Sequence, residues 1–228
     1  MIAIITARGG SKRIPKKNIK DFLGKPIISY SIEAALTSKL FDRVMVSTDS
    51  EEIKKVAIRY GAEVPFMRSE KTSDDFATTR DVLLEVIEEY KRIGIEFDEF
   101  ACIYPTAPFI TSSLLIDAYK KFKGENANAL IPVVKFSFPP QRAFVIKDNH
   151  LGLFDKDSFL RRSQDLEPLY HDCGQFYIYN TSEFIKCNKP IMDCTIGFEL
   201  DESLIQDIDT LEDWNLAEMK YKIIHYKG

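Results

Sequence analysis

Short apolar segments alternate with helical segments through the first 134 residues, and this alternation constrains the fold more than any other feature. Apolar runs predict strands at residues 2–7, 43–48, 62–66, 99–104 and 129–134. Helical periodicity predicts helices at residues 26–38, 49–60, 77–93 and 111–123. Such alternation builds βαβ units. We therefore expect an α/β fold with a Rossmann-like, mostly parallel sheet and helices on both faces.

The alternation breaks at about Lys135 and resumes with a strand predicted over residues 175–180. We interpret residues 135–173 as an irregular insertion that protrudes from a single domain spanning residues 1–228. Its many Phe, Ile and Leu side chains would be exposed on a free excursion, and exposed apolar surface usually marks an interface. The insertion therefore predicts a homodimer. A last helix is predicted over residues 210–225, with Thr210 and Asp213 as a capping pair at its start.

Composition narrows the functional classes. The chain has 45% hydrophobic residues and a net charge of −4, which is ordinary for a globular protein and argues against general nucleic-acid binding. No apolar run reaches the roughly 18 residues of a membrane span, and the short apolar N-terminus lacks the preceding charge of a signal peptide. We therefore expect a cytoplasmic protein without membrane contact. An anionic substrate would need a local basic cluster.

Such a cluster follows the first predicted strand. Six of the thirteen residues from Arg8 to Lys20 are Lys or Arg, and none is acidic. The adjacent Gly9 and Gly10 let the backbone approach a ligand and expose its amides, which together with the cations predicts a triphosphate-binding loop. Neither the P-loop pattern nor the dinucleotide fingerprint is present. The alternative interpretation is a solvated basic turn.

Two carboxylates near the C-terminal end suggest a metal site. Asp207 and Asp209 alternate, so on an extended segment their side chains point the same way. Carboxylate pairs bind Mg²⁺ together with water and phosphate oxygens. In the other interpretation Asp209 simply caps the following helix.

Several segments, in order, resemble one family. The segment A-R-G-G-S-K-R-I-P-K-K-N at residues 7–18 resembles the opening motif of the CMP-sugar synthetases, the cytidylyltransferases for sialic, legionaminic and pseudaminic acids. V-S-T-D at 46–49, P-T-A-P at 105–108 and Q-D-I-D-T at 206–210 are similar to later motifs of that family, as are F-M-R-S at 66–69 and the segment 74–79. The resemblance extends from residue 1 to about residue 218.

The resemblance implies transfer of CMP from CTP to an acidic nine-carbon sugar, with Mg²⁺ as cofactor. The residues it implies for catalysis are Arg8, Lys12, Lys17, Asp207 and Asp209, with Asp207 and Asp209 as metal ligands. Those implied for nucleotide binding are Arg8, Gly9, Gly10, Ser11, Lys12, Lys17, Asn18, Arg68, Thr78 and Thr79. A capped helix start is an additional interpretation of the two threonines.

The middle of the chain indicates the sugar. The segments S-Q-D-L at 163–166 and Y-H-D-C-G-Q-F-Y at 170–177 resemble the pseudaminic acid branch of the family. Tyr104 and Ile110 stand where the sialic acid enzymes carry Gln and Arg, although N-acetylneuraminate and legionaminate synthesis stay open as alternatives. The resemblance also implies dimerisation through the insertion. Candidate sugar-binding residues are Gln141, Arg142, Arg162, Gln164, Asp165, His171, Asp172, Gln175 and Tyr104.

Two other classes fit parts of the pattern. A glycosyltransferase also combines an α/β sheet with an acidic metal motif, but it usually carries that motif mid-chain and lacks a basic glycine loop. A non-catalytic nucleotide sensor would have no need for Asp207 and Asp209.

Overall fold

A computed structural model describes residues 1–225 of the chain. Its strands are β1 (Ile2–Thr6), β2 (Asp21–Phe22), β3 (Lys25–Pro26), β4 (Arg43–Ser47), β5 (Glu99–Ile103), β6 (Ala129–Lys135), β7 (Phe144–Lys147), β8 (His150–Leu153), β9 (Tyr170–Asp172), β10 (Phe176–Asn180) and β11 (Thr195–Glu199). Its α-helices are α1 (Ile28–Ser38), α2 (Glu51–Arg59), α3 (Thr79–Arg92), α4 (Ser112–Gly124), α5 (Lys156–Phe159), α6 (Thr181–Lys186) and α7 (Leu211–His225). Within these residues, no helix combines the length and apolarity required to cross a membrane.

Seven strands form one mixed central sheet in the order β11-β6-β10-β5-β1-β4, with β9 paired to β6. Strand β1 runs parallel to β4 and β5, and β11 runs parallel to β6. Strand β10 is antiparallel to β5 and β6, and β9 is antiparallel to β6. The predicted α/β sheet is confirmed, and its parallel half carries the loop rich in lysine and arginine at the carboxyl end of β1.

Helices cover both faces of this sheet, as predicted. On one face the buried side chains of β1, β4, β5 and β10 pack against α1, α2 and α4. On the other face Ile2, Ile4 and Phe100 pack against α3 and α6. The apolar side chains of these strands therefore pack into a core on each face of the sheet. Because both faces are buried, the strands do not alternate between hydrophobic and polar residues.

A third cluster joins the two ends of the chain. Ile14 of the basic loop and Ile208 of the acidic motif are both buried, and they belong to one apolar cluster with Phe22 and Trp214. Helix α7 contributes Trp214 to this cluster. Packing of Ile14 and Ile208 in one cluster holds the cations of the loop next to the carboxylates of the C-terminal motif, although almost two hundred residues separate them.

Three predictions on secondary structure are wrong. Residues 62–66 form no strand but a single bridge between Glu63 and Met45, because Pro65 follows closely and cannot donate to a ladder. The first helix begins at Ile28, since Pro26 belongs to the β2–β3 hairpin. Residues 135–173 are not irregular: they contain β7, β8, α5 and β9.

The β7–β8 hairpin shows what the sequence reasoning overlooked. Its two turn residues, Asp148 and Asn149, both have positive φ, at 50° and 61°. A two-residue turn with positive φ at both positions is the usual connection of tight hairpins, and Asp and Asn tolerate it well. The Asp-Asn pair between two apolar runs was therefore a readable hairpin signal.

Candidate active site

A cleft of about 630 Å³ opens at the carboxyl ends of β1 and β5. One wall is the basic loop, the second comes from residues 68–79, and the third is the turn at residues 104–106 that follows β5. Ligands of open α/β sheets bind beyond the carboxyl ends of their strands. The topology therefore places the predicted triphosphate loop where a nucleotide is expected.

Hydrogen bonds from side chains to its backbone hold the basic loop in place. The Gly9 amide donates to Asp49 Oδ1 at 2.7 Å, and the buried Asn18 donates from Nδ2 to the Arg8 carbonyl at 2.9 Å. A Cβ on Gly9 would lie 3.1 Å from the Ser50 Cβ, a tight contact, so the loop's close approach to the start of α2 favours glycine. Asn18 thus supports the loop from within.

Arg8 and Lys12 both bind one carboxylate that faces them across the cleft. Arg8 Nη1 lies 2.9 Å from Asp75 Oδ1 and 3.1 Å from the Asp74 carbonyl, and Lys12 Nζ pairs with the other Asp75 oxygen. Hydrogen bonds from Lys12 and Arg8 lower the pKa of Asp75. The Asp75 carboxylate therefore binds two of the three cations predicted to bind the triphosphate.

The other cations of the loop meet the acidic motif. Lys17 donates to the Ile208 carbonyl at 2.6 Å and lies 3.6 Å from Asp209 Oδ1, while Arg13 lies 2.8 Å from Asp209 Oδ2. Asp207 is exposed and Asp209 is half-buried, whereas Ile208 between them is fully buried. This alternation agrees with the expectation that the side chains of Asp207 and Asp209 point the same way.

Helix capping does not explain Asp209. Thr210 and Asp213 form the reciprocal capping pair of α7, with the Asp213 amide donating to Thr210 Oγ1 at 3.2 Å and the Thr210 amide donating to Asp213 Oδ2 at 2.8 Å. The Asp209 amide also donates to Asp213 Oδ2, at 3.1 Å. The Asp209 carboxylate is thus left for its two cations or for a metal.

Arg68 is a buried cation in the second wall. It donates from Nε to Ser47 Oγ at 3.0 Å and from Nη2 to the Ser47 carbonyl at 2.7 Å. Burial lowers its pKa to about 10, so the guanidinium stays charged at neutral pH. The end of β4 thus fixes a positive charge beside the cleft.

The two predicted threonines differ. Thr78 is the N-cap of α3 and forms a capping box with Asp81, which agrees with the capping interpretation. Thr79 lines the cleft, and its Oγ1 lies 3.4 Å from the Tyr104 hydroxyl.

The sugar candidates are dispersed. Of the predicted sugar-binding residues, Tyr104 lines the cleft. The other eight do not belong to its lining in the part of the chain that the structure describes. Gln175 is 2% exposed and donates from Nε2 to the Leu204 carbonyl at 2.8 Å. Gln141 donates to the Glu167 carbonyl, and His171 packs against the Phe136 ring at 4.7 Å. Arg142 lies over the Phe159 ring, and Arg162, Gln164 and Asp165 are exposed on the insertion.

Sequence reasoning missed Asp74 and Asp75, which line the cleft. It also missed Ser47 and Tyr177, which lie behind the lining and contact Arg68 and Tyr104. Two adjacent acids, Asp74 and Asp75, in a segment that already resembled a family motif were the available signal. Nothing in the sequence pairs them with a loop more than sixty residues away.

A basic glycine loop at the carboxyl edge of a mixed sheet, facing a cleft of this size, is the arrangement expected of an α/β protein with an anionic ligand. The sequence profile of one family, described as Cytidylyltransferase, matches residues 2–199. The chain belongs to the cytidylyltransferase family.

Individual relatives are similar along nearly the whole chain. A pseudaminic acid cytidylyltransferase from Campylobacter jejuni is 43% identical over 225 residues, which cover 98% of this chain and 97% of the relative. A CMP-N,N'-diacetyllegionaminic acid synthase from Legionella pneumophila is 33% identical, and the matched region covers 96% of this chain and 94% of the relative. The fold is similar to that of a CMP:2-keto-3-deoxy-manno-octonic acid synthetase in complex with CTP, with a TM-score of 0.70, 18% identity and coverage of 99% and 98%.

Proposed function

We propose that the protein transfers CMP from CTP to pseudaminic acid, releasing the CMP-sugar and pyrophosphate. The observation that carries the proposal is the 43% identity, over nearly the full length of both chains, to a pseudaminic acid cytidylyltransferase. Identity falls to 33% for a relative that makes CMP-N,N'-diacetyllegionaminic acid. Legionaminic and N-acetylneuraminic acids are therefore the alternative acceptors.

The reaction is an attack by the anomeric hydroxyl of the sugar on the α-phosphate of CTP. Negative charge has to be neutralised as pyrophosphate leaves, and fixed cations and amides provide this stabilisation. We assign it to Arg8, Lys12 and Lys17, together with the amide of Gly10. The predicted amides of Gly9 and Ser11 already donate to Asp49 Oδ1 and to the Gly9 carbonyl. The support is that all three cations already bind oxygen acceptors at the cleft.

We assign Mg²⁺ binding to Asp207 and Asp209. The donor set fits this ion, because Mg²⁺ in nucleotide sites takes one or two protein carboxylates and completes its shell with water and phosphate oxygens. No group of three His, Cys, Asp or Glu side chains suited to a metal occurs in the part of the chain that the structure describes, so water and substrate oxygens would have to complete the shell. When bound, the ion would neutralise phosphate charge. Arg13 and Lys17 would then have to share or release Asp209.

Recognition of the nucleoside is assigned to Arg68 and Thr79. Arg68 lines the cleft, and its buried guanidinium is fixed there by two hydrogen bonds to Ser47. Thr79 has a hydroxyl at the cleft wall. Thr78 supports the same wall by capping α3.

The sugar would extend from the cleft towards the insertion. Gln175 is buried and bonded to the Leu204 carbonyl, so it supports the fold and does not reach the sugar. The other candidates, from Gln141 to Asp172, would bind the sugar only if a second subunit completes the site, since they lie outside the cleft of their own chain. A homodimer built on the insertion provides this, with Arg142 and Arg162 reaching the partner's cleft. The support is an exposed apolar surface that includes Ile146 at 74% and Leu151 at 66% exposure. We further propose that the enzyme works in the cytoplasm.

The proposal is tested by product analysis with two nucleotides. The protein is mixed with Mg²⁺, pseudaminic acid and either CTP or UTP, and pyrophosphate release is followed. We expect rapid release with CTP and little with UTP, because a site built to hydrogen-bond the cytosine amine leaves groups unpaired with uracil. Comparable rates with UTP would contradict cytidylyl transfer. A glycosyltransferase would release no pyrophosphate.

A further inference from the structure

A single carboxylate of α3 anchors the second wall of the cleft. The Ser69 amide donates to Glu85 Oε1 at 2.8 Å, and the Ser69 hydroxyl donates to Glu85 Oε2 at 2.7 Å. The Thr72 hydroxyl donates to the same Oε2. Thr72 lines the cleft and is buried, whereas Ser69 and Glu85 lie behind the lining. Three donors from one short turn thus converge on a carboxylate that stands outside the cleft.

This contact determines where the turn begins. The turn is a single 3-10 turn at Glu70–Thr72, and Ser69 holds its N-cap position without a side-chain cap hydrogen bond. The amide and hydroxyl of Ser69 are instead directed at Glu85. Burial acts to raise the pKa of Glu85, but the hydrogen bonds from Thr72 and Ser69 outweigh it and lower the pKa, so the carboxylate is ionised at neutral pH. An ionised acceptor makes these bonds stronger than neutral ones.

The anchored turn directly follows Arg68. On its other side, Arg68 is held by the end of β4: its amide donates to the Thr48 carbonyl at 2.9 Å, and its guanidinium is bound to Ser47. Burial lowers the pKa of Arg68, and the negative charges of Asp49 and Glu85 counteract this. Glu85 therefore supports the wall in two ways, because it fixes the turn and stabilises the buried charge beside it.

We propose that Glu85 is a positioning residue of the nucleotide site, which holds Arg68 and Thr72 at the cleft wall without contacting the ligand itself. The inference rests on the proposed function, which assigns this wall to the nucleoside, and adds a residue behind the wall on which nucleoside recognition depends. The phosphates are assigned to the basic loop, where Arg8 and Lys12 lie. Loss of Glu85 should therefore weaken nucleoside binding and spare phosphate binding.

The test compares the binding of CMP and of pyrophosphate by calorimetry. In Glu85→Ala the turn loses its anchor and Arg68 loses a compensating charge. We expect the Kd for CMP to rise about five- to tenfold, the value of one net hydrogen bond. The Kd for pyrophosphate should be unchanged. Unchanged CMP binding, or an equal loss of affinity for both ligands, would overturn the inference, because an equal loss is what a general disturbance of the cleft produces.

A conservative variant separates the anchor from the charge. Glu85→Gln keeps an amide that can bond the same groups, since hydroxyls accept as well as donate. It removes the charge and retains the anchor, so it should weaken CMP binding less than Glu85→Ala does. Weaker CMP binding by Glu85→Gln than by Glu85→Ala would contradict the anchoring role.

Ser69→Ala tests the same contact from the exposed side of the turn, where a failure to fold is not expected. It removes one of the three donors and should raise the Kd for CMP about two- to threefold, with pyrophosphate binding unchanged. In the Glu85→Ala background it should add nothing, because residues that act through one contact are not additive. Multiplied effects of the two changes would overturn the inference.

The matched control is Glu88→Ala, which removes a carboxylate on the same helix that pairs with Arg92 at 3.5 Å. It should leave both Kd values unchanged. Normal CMP-sugar formation by the wild type, with the same Kd for CMP in Glu85→Ala and Glu88→Ala, would reject the inference alone. Absence of CMP-sugar with the wild type would reject the proposed function, whereas CMP binding that still depended on Glu85 would support the inference.

Discussion

The Arg8 guanidinium lies 2.9 Å from the Asp75 carboxylate, and the same carboxylate also binds Lys12. Two cations of the predicted triphosphate site are therefore paired with one carboxylate from the opposite wall. Asp74 stabilises this arrangement by accepting the amides of Phe76 at 3.0 Å and Ala77 at 2.7 Å. A triphosphate has to displace Asp75 before it can bind both cations.

Removal of the Asp75 charge should strengthen binding of phosphate ligands. In Asp75→Asn the neutral amide competes less well for Arg8 and Lys12. We expect the Kd for pyrophosphate, measured by calorimetry, to fall roughly two- to fivefold, a modest change because exposed ion pairs are weak. The control Asp42→Asn removes the same charge from a distant pair with the N-terminus. Weaker pyrophosphate binding by Asp75→Asn alone would show that Asp75 assists the ligand.

Replacement of Arg68 should affect stability as well as nucleotide binding. In Arg68→Lys the ammonium cannot reproduce both bonds to Ser47, because it lacks the planar fork of Arg. We expect the free energy of unfolding in denaturant to fall by about 1–3 kcal/mol, with a higher KM for CTP. The control Arg43→Lys changes an exposed pair with Glu63 and should alter neither quantity. Unchanged stability of Arg68→Lys would contradict the buried role.

Loss of either acidic-motif carboxylate should weaken the proposed metal site. Asp207→Asn and Asp209→Asn should each raise the Mg²⁺ concentration for half-maximal activity at least roughly tenfold, as loss of metal-site groups does elsewhere. Glu212→Gln removes a nearby exposed carboxylate on α7 and serves as the control. Equal Mg²⁺ requirements in wild type, Asp207→Asn and Asp209→Asn would reject the metal assignment.

The proposed homodimer should depend on the β7–β8 hairpin. By light scattering, the wild type should have twice the 26.2 kDa mass of one chain. Ile146→Lys should shift the population to monomer, because it puts a charge into the apolar surface that the partner would cover. Ile58→Lys changes another exposed isoleucine, on α2, and should remain dimeric. A monomeric wild type at micromolar concentration would contradict the dimer.

Much of the fold could be predicted because local patterns carry it. The strands at residues 2–6, 43–47 and 99–103 are buried on both faces, so they appear as unbroken apolar runs. The start of α7 was visible as a capping pair, Thr210 and Asp213. Strand β11, in contrast, has the sequence T-I-G-F-E with intermediate burial at an edge of the sheet, and lacks such a run.

The site was predictable on its basic side and not on its acidic side. Arg8, Lys12 and Lys17 are close in sequence, and a charge cluster near glycines can be recognised there. Asp75 contacts Lys12, which is 63 positions away in the sequence, and Tyr177 contacts Tyr104, which is 73 positions away. Only the fold of the sheet brings these pairs together. Contacts of this kind depend on topology, and a single sequence does not reveal them.

The account depends most directly on the choice of acceptor sugar. The purified protein is incubated with CTP, Mg²⁺ and equal amounts of pseudaminic, legionaminic and N-acetylneuraminic acids, and the products are separated chromatographically and identified by mass. We predict that CMP-pseudaminic acid forms first and predominates at early times. Predominance of either other CMP-sugar, or formation of no CMP-sugar at all, would contradict the account.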